Sequence, residues 1–161
     1  MVDSPETLDR YDREILQVLQ DDATVSIAEL SQRVGLTSSP CWRRVQKLKE
    51  QGVIRKEVVL LDPAHLDLNV TVFILVKTNQ HRMAWFQSFH RLVSSMPEVV
   101  EFHRVTGSTD YLLKVVVPDI RAYDRVYKAL IQGAELADVT SMFAMEQIKY
   151  TTALPLGGAF G

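Results

Sequence analysis

Residues 26–52, S-I-A-E-L-S-Q-R-V-G-L-T-S-S-P-C-W-R-R-V-Q-K-L-K-E-Q-G, constrain the fold more than any other stretch. Their apolar positions recur at helical spacing in two short blocks divided by Gly35. Helices this short are not stable alone, so each must pack on a neighbour. Ser26 and Glu29 have the S-x-x-E spacing of a capping box and predict a helix start there. Ile27, Leu30 and Val34 form its inward face. Gly35 permits a left-handed turn, and Thr37 or Ser38 then caps a further helix whose first turn tolerates Pro40. Upstream, Leu8, Tyr11, Ile15, Leu16 and Leu19 predict a first helix over residues 9–20, capped by Thr7 or Asp9.

At about 100° per residue, Cys41, Val45, Leu48 and the closing Gly52 share one side of the third helix. Ser39, Arg43, Gln46 and Lys47 share the other, with Trp42 and Arg44 at the edges. Basic residues concentrate here: Arg33, Arg43, Arg44, Lys47, Lys49, Arg55 and Lys56, in a chain of net charge −2. A local basic face on an acidic body fits a reader of double-stranded DNA; from charge alone, a solvated helix face fits equally. Helix, tight turn, helix is the helix-turn-helix pattern. Amides at the helix start approach phosphates, while Arg and Gln bond base edges. The candidate DNA-binding residues are Ser38, Ser39, Trp42, Arg43, Arg44, Gln46 and Lys47, with Arg44 a flank contact to phosphate or within the domain. A three-helix protein-interaction module is the competing reading. Cys41 beside two arginines raises redox sensing, but its angle assigns it to the packed side. Trp42 suits stacking on DNA or packing at the core edge.

The remainder bounds the class. A hydrophobic fraction of 47% and a charged fraction of 24% over 161 residues are those of a globular protein of one or two domains. No apolar run nears the roughly 20 residues that span a bilayer, and no signal peptide is evident. With a single cysteine and so no intrachain disulfide, the expectation is a cytoplasmic protein with no membrane partner. No histidine or cysteine pair has metal-ligand spacing, and no phosphate loop or catalytic triad is present, so no metal, cofactor or catalytic residue is expected.

Val58-Val59-Leu60-Leu61-Asp62-Pro63 is an extended apolar stretch stopped by proline. Beyond it the pattern runs strand (69–78), helix (82–96), strands (99–106 and 111–117), a helix capped by Asp119, and a last strand (139–152). This is the order of the split β-α-β, ferredoxin-like sandwich. The fold class is therefore α+β, and two helices cover only one face of such a sheet. Val70, Val72, Ile74 and Val76 alternate with Phe73 and Leu75, so the second face is also apolar. It predicts an obligate homodimer built sheet to sheet. Gly107-Ser108-Thr109-Asp110 is a turn-rich loop between two strands.

Leu8-Asp9-x-x-Asp12-x-x-Ile15-Leu16, Ser26-x-x-Glu29-Leu30, Val34-Gly35-Leu36, Cys41-x-x-Arg44-Val45-x-x-Leu48 and Gly52-Val53-Ile54 resemble the Lrp/AsnC family of transcription regulators. The similarity runs through nearly the whole chain. It implies a helix-turn-helix domain (1–55), a linker strand (56–66) that helps to pair two chains, an effector-binding and oligomerisation domain of RAM type (67–156), and a flexible tail (157–161). It also implies dimers assembling further, as into an octamer. Residues 105–113 resemble the family's G-x-x-D-Y-L-L segment, and Ser141 matches a position where the family often carries Thr or Ser. The resemblance makes Gly107, Ser108, Thr109, Asp110, Tyr111 and Ser141 the candidate effector-binding residues, for a small amino acid. The chemistry agrees: loop amides and hydroxyls receive a carboxylate, and Asp110 pairs with an ammonium. The alternative is a hairpin shaped by Gly and Asp. Residues 143–156, with S-P-C-W-R-R, are similar to a subgroup regulating amino-acid uptake or breakdown, cysteine detoxification included, which makes cysteine the candidate effector. Two other readings share the architecture. One is a sirohaem-decarboxylase-like enzyme using some of His65, His81, His90 and His103; the other is an architectural DNA-binding protein with little sequence discrimination.

Overall fold

The computed structural model describes residues 8–80 and 82–156. Thr7, His81 and the expected tail 157–161 lie outside the described residues. Contacts divide these into two compact units, residues 8–60 with 149–156, and residues 61–148.

The first unit is built on α1 (Arg10–Asp21), α2 (Ile27–Arg33) and α3 (Ser38–Glu50). Asp9 caps α1 in a reciprocal box: the Asp12 amide donates to Asp9 Oδ1 at 2.9 Å, and the Asp9 amide to Asp12 Oδ2 at 3.3 Å. At α2 the expected box forms by half. The Glu29 amide donates to Ser26 Oγ at 3.2 Å, but the Glu29 carboxylate turns to Arg33 one turn ahead, at 2.5 Å. Gly35, at φ +70°, makes the turn into α3, closed by the Leu36 amide on the Ser31 carbonyl at 2.9 Å. Thr37 is the extended cap residue of α3, and its side chain makes no capping bond.

Ile15, Leu30, Val34, Cys41, Val45 and Leu48 are buried together as the core of this unit. The inward face expected for α3 is the one observed, except that Gly52 lies past the helix end at φ +73°. Residues 149–156 form no helix or strand and run beside α1. The Gln20 side chain donates to the Leu154 carbonyl at 3.1 Å and accepts from the Leu154 amide at 2.9 Å. Arg13 reaches the carbonyls of both Leu8 and Leu156, each at 3.4 Å.

The second unit contains β1 (Val70–Lys77), α4 (Met83–Ser94), β2 (Val99–Arg104), β3 (Tyr111–Val117), α5 (Ile120–Gly133) and β4 (Asp138–Phe143). Its antiparallel sheet has the order β2-β3-β1-β4, as the split β-α-β sandwich requires. Asp119 caps α5 by accepting the Ala122 amide at 2.7 Å. The core joins Val72, Ile74, Val76, Leu113, Val115 and Val117 of the sheet to Phe89 and Val93 of α4 and Val126 and Leu130 of α5. The alternate residues Phe73, Leu75, Leu112 and Val116 are only half-buried.

The last strand is shorter than expected, and the linker, expected to pair two chains, has no partner strand among the described residues of a single chain. β4 stops at Phe143, not 152, because Phe143 already pairs with Val72 near the start of β1. The Ala144 amide takes the Thr71 carbonyl at 2.9 Å, and β1 has little left to offer. Residues 58–61 form no strand among the described residues; their backbone has no ladder to join. Val59 is 84% exposed and Leu61 70%. The chain then turns through a short 3-10 helix, Pro63–Leu66. No described helix is long and apolar enough to cross a membrane.

Candidate functional site

On α3 the structure separates two classes of polar residue. Ser38, Ser39, Trp42, Arg43 and Lys47 are exposed, and Gln46 is half-buried. Trp42 keeps 52% of its surface accessible, so its ring belongs to the solvent-facing side and not to the core edge. The uncapped start of α3 leaves its first amides directed outward, where an anion is favoured. Ser31, 3% exposed, sits under the turn, its hydroxyl 3.4 Å from that of Ser38 and donating to the Ala28 carbonyl at 2.8 Å.

Arg44 is placed differently. Its Nη1 donates to Asp9 Oδ2 at 2.7 Å and Asp12 Oδ1 at 2.8 Å. Its guanidinium carbon lies 5.4 Å from the centre of the Tyr11 ring. The Asp12 amide and the Arg44 guanidinium together hold the Asp9 carboxyl below its ordinary range. In the sequence Asp9 reads as a candidate helix cap and Asp12 as a motif residue; that both face Arg44 requires the packing of α1 on α3. Cys41 is fully buried, and desolvation pushes its thiol pKa up, away from thiolate chemistry.

In the second unit, the loop from β2 to β3 carries Gly107 at φ +127°, with nothing within 4 Å of where a Cβ would sit. Gly107 and Ser108 are exposed, Thr109 and Asp110 half-buried. Asp110 closes the loop with three bonds. Its amide donates to the Val76 carbonyl at 3.0 Å, its carbonyl accepts the Val105 amide at 2.9 Å, and its carboxylate accepts the Thr78 amide at 2.8 Å. Tyr111 is 5% exposed, its ring 5.4 Å from Phe89 and 5.7 Å from Phe102. It therefore supports the loop from the core side, not as a group open to a ligand.

Ser141 is not brought to this loop within one chain. It pairs with Ile74 inside β1, whereas Asp110 bonds at Thr78 beyond the end of β1. Its hydroxyl bonds the Tyr123 hydroxyl of α5, and burial raises the Tyr123 pKa. Three residues not anticipated from sequence do gather at the loop's end of the sheet. Gln80 Nε2 donates to Glu135 Oε2 at 3.3 Å, Trp85 Nε1 donates to the Glu135 carbonyl at 3.2 Å, and the Trp85 ring lies 6.0 Å from Tyr111. No spacing rule joins residues so far apart in sequence. The described histidines are scattered: His65 Nδ1 is 2.9 Å from Asp62, and His103 Nε2 is 3.2 Å from Glu101. His90 neighbours Phe86 and Phe102. Among the described residues no cluster of His, Cys, Asp and Glu is able to hold a metal ion.

Residues 8–55 match the winged helix-turn-helix DNA-binding family, and residues 71–154 match the Lrp/AsnC ligand binding domain. The DNA-binding transcriptional activator DecR of Escherichia coli K12 is 47% identical over 150 residues, covering 92% of this chain and 99% of that protein. A crystal structure of an AsnC family transcriptional regulator from Agrobacterium tumefaciens superposes with a TM-score of 0.89 at 56% identity, covering 92% and 97% of the two chains. A Neisseria meningitidis transcriptional regulator in complex with L-Met superposes with a TM-score of 0.88 at 38% identity, covering 93% and 97%.

Proposed function

Because this chain belongs to the Lrp/AsnC family of DNA-binding transcription regulators, we propose that the Gly107–Asp110 loop receives a small amino acid and thereby changes how paired α3 helices meet DNA. The observation that carries the reading is the loop's build: an exposed, glycine-opened turn whose ends are locked by Asp110. Exposed amides and the hydroxyls of Ser108 and Thr109 suit a carboxylate, and Asp110 supplies the negative charge for an ammonium. Ser141 enters such a site only if a second chain brings it there.

Ser39, Arg43, Gln46 and Lys47 form the DNA-facing set, with Ser38 and Trp42 beside it. Their exposure on an uncapped helix start supports this. Pairing of two chains is supported by the half-buried Phe73, Leu75, Leu112 and Val116 and by the exposed apolar residues 58–61. In a dimer, two α3 helices read half-sites about 34–36 Å apart or at multiples of that distance. Assembly beyond the dimer and a cytoplasmic location complete the reading. Effector binding acts only if the amino acid binds competing assemblies unequally.

A thermal-shift screen of the standard amino acids tests the sensor role. Cysteine enters through the detoxification resemblance, and methionine because the Neisseria relative is in complex with L-Met. One selective rise in melting temperature identifies the effector; no rise with any amino acid at millimolar concentration removes the proposal. Sedimentation velocity tests pairing, and a monomer at micromolar concentration would count against it.

A further inference from the structure

Arg44 lies on the recognition helix, yet both of its observed acidic partners belong to the start of α1. An open groove of about 550 Å³ runs between the two helices, with Asp9 and Asp12 on one wall and Pro40, Arg43 and Lys47 on the other. Arg44 bridges it. Two carboxylates already hold the Arg44 guanidinium, so its charge is compensated within the domain and a phosphate placed beside it gains little. Arg43 next to it is exposed, whereas the Arg44 side chain is only 31% exposed and lies by Tyr11.

We propose that Arg44 is a positioning residue for DNA recognition, clamping α3 to the capped end of α1 and fixing which face of the helix enters the groove. The compensated Asp9–Asp12–Arg44 edge then offers DNA phosphates less than Arg43 and Lys47 do, so a helix rolled toward α1 binds less well. Recognition by bidentate contacts tolerates little rotation of the helix, so the clamp acts on sequence discrimination more than on general attraction to DNA. A helix held at one angle is also pre-organised, and less ordering is left for the moment of binding.

Salt-titrated binding separates this role from a phosphate contact. The probes are a duplex enriched by the full-length wild-type protein from random-sequence DNA and its scrambled counterpart. Arg44→Ala is expected to weaken the enriched duplex by about tenfold, hold the scrambled duplex within about threefold, and leave the slope of log K against log salt unchanged. Loss of one phosphate contact flattens that slope by about 0.9, which sets the reference. Asp12→Asn gives a test of opposite sign. Removing a negative charge near DNA tightens binding by simple electrostatics, whereas loss of the clamp weakens the enriched duplex several-fold while the scrambled one gains. A slope flattened by about 0.9 in Arg44→Ala, or tighter binding of the enriched duplex by Asp12→Asn, overturns the proposal. So does an equal loss on both duplexes, which would make Arg44 a stability residue only.

Discussion

Gln20 and Leu154 exchange two hydrogen bonds, side-chain amide to backbone, across 134 residues of chain. The pair imitates one rung of a β-ladder with a glutamine side chain in place of a strand. Gln20→Ala deletes both bonds at once. We expect a loss of about 1 kcal/mol in stability, small because the site is near solvent. Hydrogen exchange at the Leu154 amide is the sharper measurement and should accelerate; unchanged protection there would show that the segment is held by other contacts.

Gly107 sits at φ +127° in open space. An added methyl group therefore meets no neighbour, and the penalty of Gly107→Ala is purely one of backbone conformation. About 1–2 kcal/mol is expected from thermal or urea denaturation. The loop would relax toward a different shape, so calorimetric titration should show effector affinity falling more than stability does.

Asp110 combines a turn-closing oxygen with a charge, and the two roles separate by substitution. Asp110→Asn keeps an acceptor for the Thr78 amide. It should fold with near-normal stability while losing the amino-acid response by about tenfold or more, through the missing ammonium partner. Asp110→Ala should lose both. A normal response in Asp110→Asn would remove the charge from the site and leave Asp110 a purely structural residue.

Cys41 provides a test through reactivity. Its burial and raised thiol pKa predict that a thiol reagent labels it only after denaturation. Rapid labelling of native protein at neutral pH would restore the redox-sensor reading that the packing argues against.

The Asp9 carboxyl has its pKa lowered from 3.8, first by the Asp12 amide, with Arg44 also lowering it and desolvation opposing. A depressed carboxylate contributes stability above its unfolded value, and that contribution is lost as pH falls through the folded value. Asp9→Asn keeps a good cap but no charge. The difference in stability between wild type and Asp9→Asn should thus be full above about pH 4 and shrink below it. Acid titration of the two proteins by circular dichroism checks the sign.

Local signals made most of the fold readable. The inward set on α3 follows from 3.6-residue periodicity, and Asp119 and Ser26 announce helix starts by chemistry confined to a few residues. The strand and helix order of the second unit follows in the same way. What escaped depends on distant partners. Arg44 reads as a flank contact, to phosphate or within the domain, and only the packing of α1 beside it favours the second. Glu29 reads as half of a capping box until Arg33 competes for it. Residues 144–152 are as apolar as a strand, but whether they pair depends on how far β1 extends. The same limit applies to Tyr111 and Ser141: the motif indicates the segment, not which way each side chain turns.

Arg13 holds the carbonyls of Leu8 and Leu156 with one guanidinium. The helical unit is consequently closed by residues that leave the ribosome after every residue of the sandwich. Its local helices have low contact order and can form early, but the contacts of residues 149–156 have to wait. The contacts that bind the start of the helical unit to residues 149–156 thus cannot form until the whole sandwich has been made, whatever order the two units fold in.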